Sequence, residues 1–283
     1  MIDQATELRK LSLDHGRQVN SQHSGSSRLL VVSGGKGGVG STTIAVQLAT
    51  ALATLKQKVL LVEVGDYRSD ITTLCELAEN TSGSNPRSRS DDLANMIQQG
   101  PAGIHVLPAT WQPPGQATEQ SPAQIHHLFQ QLQRWQNDYD ILLADVSNRT
   151  QGLASRLCEY ADDLLLVTTC EPVAIMDSYA MLKIQSQQGA LPRVHIIVNR
   201  IVLPEQGHAI YQRINHACQR FLGFPVDHLG SLPERSQQVE TLADATANPQ
   251  EDRPAAIGQA CLDMAEQLMK HSCTPVSDGA GAM

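Results

Sequence analysis

The chain has 283 residues, 41% of them hydrophobic, and 21 Lys and Arg against 29 Asp and Glu give it a net charge of −8. That length supports one large core in a single domain. The acidic balance weighs against a broad electrostatic grip on nucleic acid or anionic lipid and leaves room only for a local basic patch.

The opening MIDQATELRK lacks the apolar stretch of a secretory leader, and no run approaches the ~18 apolar residues of a membrane span, so a cytoplasmic location is expected. Residues 1–27 read as a short helix followed by a flexible linker. Residues 29–33 (LLVVS) then form an apolar strand that runs into glycines, and 42–55 repeat Ala, Leu and Val at helical spacing. Further strand-like runs lie at 59–64, 104–107, 141–146, 164–168, 194–198 and 226–229, with helical patterns between them at 123–135 and 174–185. Strands without apolar/polar alternation suit a sheet covered on both faces, and their alternation with helices is the βαβ pattern. The expected fold is therefore a doubly wound, mostly parallel α/β sheet within one domain at 28–272. Residues 80–90 and 112–122, rich in Ser, Gly, Pro and Gln, read as exposed loops, and 273–283 as a frayed tail.

The six cysteines include no CxxC pair, which disfavours a zinc knuckle, a redox dithiol or iron–sulfur carriage. They read as small buried apolar residues. Residues 255–270 place Ile257, Ala260, Cys261, Met264 and Leu268 on one helical face. The opposite face carries Asp263 and Glu266 with Lys270 as its one base, which suits core packing better than a membrane surface.

Gly35-Lys36-Gly37-Gly38-Val39-Gly40-Ser41-Thr42 follows a strand and opens a helix, the setting in which a glycine-rich run becomes a phosphate loop. Glycines allow successive backbone N–H groups to turn inward, and the helix N-terminus adds partial positive charge. The pattern GxxxxGK[ST] is met at every defined position except the lysine, where Ser41 stands. An ammonium there would bridge the β- and γ-phosphates, and its loss removes on the order of a few kcal/mol of triphosphate stabilisation. Thr42 keeps the hydroxyl that ligates Mg²⁺ in such loops. Asp145, at the end of the run YDILLAD, is the candidate acid that holds the metal through water.

These motifs resemble the MinD/ParA family, whose phosphate loop reads KGGVGKT where this chain has Lys36 to Thr42 as KGGVGST. The likeness runs from Leu29 to about Ala245 and includes 163–179 (DLLLVTTCEPVAIMDSY), with Cys170 where proline is common. It implies ATP as ligand, held with Mg²⁺ by Gly35 to Thr42 and Thr43, and an ATP-dependent homodimer in which Lys36 reaches the partner's nucleotide. It also implies that Asn199, ending the strand VHIIVNR, reads adenine beside Arg200; a carboxamide offers the base both a donor and an acceptor. Pro233, in Leu232-Pro233-Glu234-Arg235, would cover the base from the other side, although an ordinary turn is the competing reading.

Two departures stand out. Where the family ends its second strand in Asp-x-Asp, this chain has Glu63, Gly65 and Asp66; Asp66 either takes over a catalytic role by a one-residue shift or is a turn residue. After Asp145, Val146-Ser147-Asn148-Arg149-Thr150 replaces the usual switch. Together with Ser41 these imply slow hydrolysis, or binding without turnover.

Asp3-Gln4-Ala5-Thr6-Glu7-Leu8-Arg9 is similar to the N-terminal motif of the flagellar number regulators of the FlhG group, also called FleN or YlxH. That likeness implies docking on FlhF, a GTPase of the signal recognition particle class, through Asp3, Gln4, Leu8 and Arg9. Gln4 would orient the attacking water. The competing reading is a capped amphipathic leader with Leu8 and Leu11 on one face. A second function class is a degenerate polar scaffold for pilus or cellulose secretion, favoured by Ser41, while DNA partition is disfavoured by the overall acidity.

Overall fold

The computed structural model describes residues 27–64, 70–77, 93–108, 122–146, 151–189, 191–234 and 253–271. In chain order the main elements are β1 (Arg28–Gly34), α1 (Ser41–Thr54), β2 (Val59–Val64), α2 (Asp70–Leu74), β3 (Gln98–Gln99), β4 (His105–Leu107), α3 (Pro122–Trp135) and β5 (Ile141–Val146). They continue with α4 (Gln151–Tyr160), β6 (Asp163–Thr169), α5 (Pro172–Gln188), β7 (Arg193–Ile201), α6 (Pro204–Phe221), β8 (Asp227–Pro233) and α7 (Arg253–His271). The strands lie in the order β3-β4-β2-β5-β1-β6-β7-β8. All pairs are parallel except that of the short β3 with β4.

Every residue of β2, β5 and β6 is buried, as their unbroken apolar runs require of strands covered on both sides. On one face Leu30, Val32, Leu61, Leu143 and Leu165 pack with Ile44, Leu48 and Leu52 of α1 and with Met264 and Leu268 of α7. On the other, Leu29, Val31, Leu60, Leu142 and Leu164 meet Leu128 of α3, Leu157 of α4, Leu182 of α5 and Ile214 of α6. The period-two alternation within each strand thus divides one sheet between two helical layers. Each fully buried Leu contributes about 1.5–3 kcal/mol to holding them.

Helix α7 buries Ile257, Cys261, Met264 and Leu268 in the core, as its sequence pattern led one to expect. Its last turn is also fastened at the base of the sheet. Arg28, the first residue of β1, donates to Asp163 (Nε to Oδ2, 2.6 Å) and to the carbonyl of Leu268. Asp163 in turn bonds His195 Nε2 at 2.8 Å, both side chains being almost wholly buried. Burial alone would push the Asp163 pKa up, but the bonds from His195 and Arg28 outweigh it and hold the carboxyl below its ordinary range.

Cys75, Cys158, Cys218 and Cys261 are free and buried, and Cys170 is free and half-buried, while Cys273 lies outside the described residues. Among the described residues no helix is long and apolar enough to cross a membrane.

Candidate functional site

Parallel strands end together, so the carboxyl ends of β1, β5, β6 and β7 converge on one edge of the sheet, where open α/β folds bind ligands. The glycine loop leaves β1 at Gly34 and enters α1 at Ser41. Gly38 and Gly40 take φ values of 83° and 88°, in the left-handed region that a side chain strains to adopt. Gly35 is fixed by space: a Cβ there would come within 2.4 Å of the backbone nitrogen of Ser178 on α5. The loop therefore lies flat against α5 as well as opening α1.

Beneath the loop, the first turn of α1 presents the Thr42 hydroxyl toward Asp145, close enough to lower the pKa of the carboxyl. Asp145 is 4% exposed. Burial pushes its pKa up to about 7, opposed by the nearby Thr42 hydroxyl and reinforced by the charges of Glu63 and Asp70. Glu63 is itself buried and stands opposite Asp145 in the β2–β5 register. A hydroxyl and a carboxylate that is expensive to ionise without a counter-charge form a donor set suited to a hard divalent cation such as Mg²⁺. Among the described residues no three His, Cys, Asp or Glu side chains gather as a metal cluster.

Lys36 projects toward α5 and forms an ion pair with Glu171 (Nζ to Oε2, 2.9 Å). That pair, together with Arg200, holds the Glu171 carboxyl below its ordinary pKa. Ser41, Thr42 and Thr43 are all half-buried at the start of α1, so no ammonium stands at the usual phosphate-loop position.

The base-side candidates also come together. Asn199 donates from Nδ2 to the Val39 carbonyl (2.8 Å) and accepts at Oδ1 from the Arg200 amide (2.9 Å). Arg200 has φ 58° and is exposed. Pro233 pairs with Ile201 across the β7–β8 ladder, which brings it next to this corner. Gln206 braces the corner by accepting from the amides of Val202 and Leu203 (2.9 and 3.1 Å).

Asp3, Gln4, Leu8, Arg9, Asp66 and residues 147–150 lie outside the described residues. Sequence reasoning did not single out Glu171 or Ser178 as neighbours of the loop. The segment TTCEP carried a signal for the first, but nothing in the sequence marks the second.

Comparison with known proteins agrees with this geometry. Residues 27–189 match the family model described as the AAA domain. The chain is similar to the antiactivator FleN of Pseudomonas aeruginosa, 26% identical over 77% of this chain and 76% of that protein. It is also similar to the flagellum site-determining protein YlxH of Helicobacter pylori, 22% identical over 83% of this chain and 80% of that one. Among solved structures, the septum site-determining protein MinD of Pyrococcus horikoshii, complexed with Mg-ADP, superposes with a TM-score of 0.62 at 20% identity, covering 87% of this chain and 98% of that one.

Proposed function

The chain belongs to the MinD/ParA family of P-loop ATPases, and on that premise we propose that it is an ATP-binding regulator of flagellar placement or number whose hydrolysis is slow or lost. The observation that carries the nucleotide reading is the buried Asp145 carboxyl beside Thr42, beneath the glycine loop. The flagellar reading draws on the similarity to FleN and YlxH and on the N-terminal motif at 3–9.

In this reading Thr42 and, through water, Asp145 would hold Mg²⁺, which would supply positive charge to the phosphate oxygens. Backbone amides from Gly35 to Thr42 wrap the phosphates, and Ser41 gives at most one neutral hydrogen bond where the family has a lysine. Lys36 reaches a second copy's nucleotide and offsets part of that deficit in trans, with Asp66 as a further candidate catalytic acid. A second copy is also supported by the exposed apolar side chains beside Lys36: Val173 and Met176 on α5 are 53% and 69% exposed, and Val202 and Leu203 are 70% and 50% exposed. They occupy adjoining corners, because Cys170 before α5 contacts the Arg200 carbonyl and Gln206. The N-terminal segment, through Asp3, Gln4, Leu8 and Arg9, acts on an FlhF-type GTPase.

Two assays test this. Phosphate release from Mg-ATP should fall far below that of a lysine-bearing family member, and an ordinary rate would remove the slow-hydrolysis claim. Residues 13–283 should fail to stimulate GTP turnover by the cognate FlhF-type GTPase while the full chain succeeds; equal stimulation would end the flagellar assignment. Ser41 favours one other reading, a polar localisation scaffold that binds nucleotide without a turnover cycle. In that case the GTPase would not respond to either form.

A further inference from the structure

Asn199 is bonded in a way that a base-reading residue does not require. Its Nδ2 donates to the carbonyl of Val39 at 2.8 Å, and its Oδ1 accepts the amide of the next residue, Arg200, at 2.9 Å. The assignment is unambiguous: flipping the amide would set two acceptors and then two donors face to face. The side chain also lies flat on the loop, since a Cβ at Gly40 would fall 2.6 Å from Nδ2. Gly40 is the residue that caps α1 in the left-handed region, with φ 88° and no side chain of its own to make the cap.

We propose that Asn199 is a positioning residue of the phosphate loop, holding the Val39–Gly40 turn from the end of β7 so that the loop's amides face inward. The chain of contacts is short. β7 is fixed beside β6, where Asn199 pairs with Thr169. The carboxamide carries that fixed point across to Val39, and the Gly40 carbonyl then accepts the first helical bond of α1 from Ile44 at 3.0 Å. A loop that must keep several N–H groups aimed at one anion loses affinity when its turn can relax, whatever base the anion carries. This matters more in a loop with Ser41 than in one with a lysine, because the backbone amides then hold the phosphates with less help. The proposal rests on the nucleotide-site reading for what the loop holds, but not for the loop's shape.

The test uses the full chain with Asn199→Ala and Asn199→Asp, the second of which sets an oxygen against the Val39 carbonyl. Hydrogen exchange without nucleotide should quicken about ten-fold or more at the amides of Ile44 and Ala45, the first bonded amides of α1, while α6 and α7 keep wild-type protection. Affinities for Mg-ATP, Mg-GTP and Mg-tripolyphosphate should fall by one common factor of about ten. Unchanged exchange at Ile44 and Ala45, a loss confined to ATP, or equal deprotection throughout the domain would each overturn the proposal. Should the wild-type chain bind none of the three phosphates, the nucleotide reading fails, and the exchange data still decide whether Asn199 holds the loop.

Discussion

Replacing Asp145 by Asn should make the nucleotide-free protein more stable while removing the carboxylate of the proposed Mg²⁺ site. The carboxyl is 4% exposed and its pKa is raised from 3.8 to about 7, chiefly by burial. Because the folded-state value is the higher one, the folded protein holds a proton that the unfolded chain has released. Stability from this group is therefore greatest below pH ~4, falls as pH rises toward about 7, and is level beyond. The full rise corresponds to about 4 kcal/mol at pH 8 and about 1–2 kcal/mol at pH 5. Asparagine does not titrate, and its NH₂ can donate to the Thr42 hydroxyl, so the variant avoids the charging penalty without orphaning its neighbour. Urea unfolding should show the variant more stable at pH 8 by about 2–4 kcal/mol, with a margin smaller by roughly 2–3 kcal/mol at pH 5. Mg-ATP should then raise the wild-type midpoint but not the variant's. A variant less stable than wild type at pH 8, or an equal margin at both pH values, would refute the reasoning.

Three further outcomes follow from the same geometry. Ser41→Lys restores an ammonium near the phosphates, and with ~4 kcal/mol as the ceiling for a charge pair near a surface it should tighten Mg-ATP binding about 10–100-fold in calorimetry and raise phosphate release. Gly35→Ala puts a methyl within 2.4 Å of the Ser178 backbone, so it should weaken Mg-ATP binding by about ten-fold or more, while circular dichroism still reports a cooperative domain. Asp163→Ala leaves Arg28 and His195 without their shared carboxylate and should cost about 3–5 kcal/mol in urea unfolding. In the wild type that contribution is present above pH ~4 and is lost as pH falls through the carboxyl's lowered pKa.

The parts of the fold that local chemistry decides were legible in the sequence. Unbroken apolar runs marked β2, β5 and β6 as doubly covered strands, the glycines with Thr42 marked the phosphate loop, and the apolar stripe of residues 255–270 marked α7 as a core helix. Thr42 and Asp145 were each legible as candidate metal ligands from their types and their places after the glycine loop and at the end of a strand. What depended on register was harder to read. The sequence offered Glu63, Gly65 and Asp66 at the end of β2; Asp66 lies outside the described residues, and it takes the β2–β5 register to show Glu63 opposite Asp145. Asp163 and His195 looked like strand residues of no special role, because only the order β1-β6-β7 brings them beside Arg28. Likewise nothing in VHIIVNR announces that Asn199 spans to Val39, a contact made across 160 positions of chain.

The central claim is that a loop lacking its lysine still wraps a metal-bound triphosphate and assembles two copies around it. Calorimetric titration of the full chain with Mg-ATP, followed by sedimentation of the same sample, tests it most directly. Saturable binding is expected, with a dimer that forms with ATP, is absent with ADP and is lost in Lys36→Ala. A chain that takes up no heat-detectable ATP and sediments as a monomer at saturating nucleotide would contradict it.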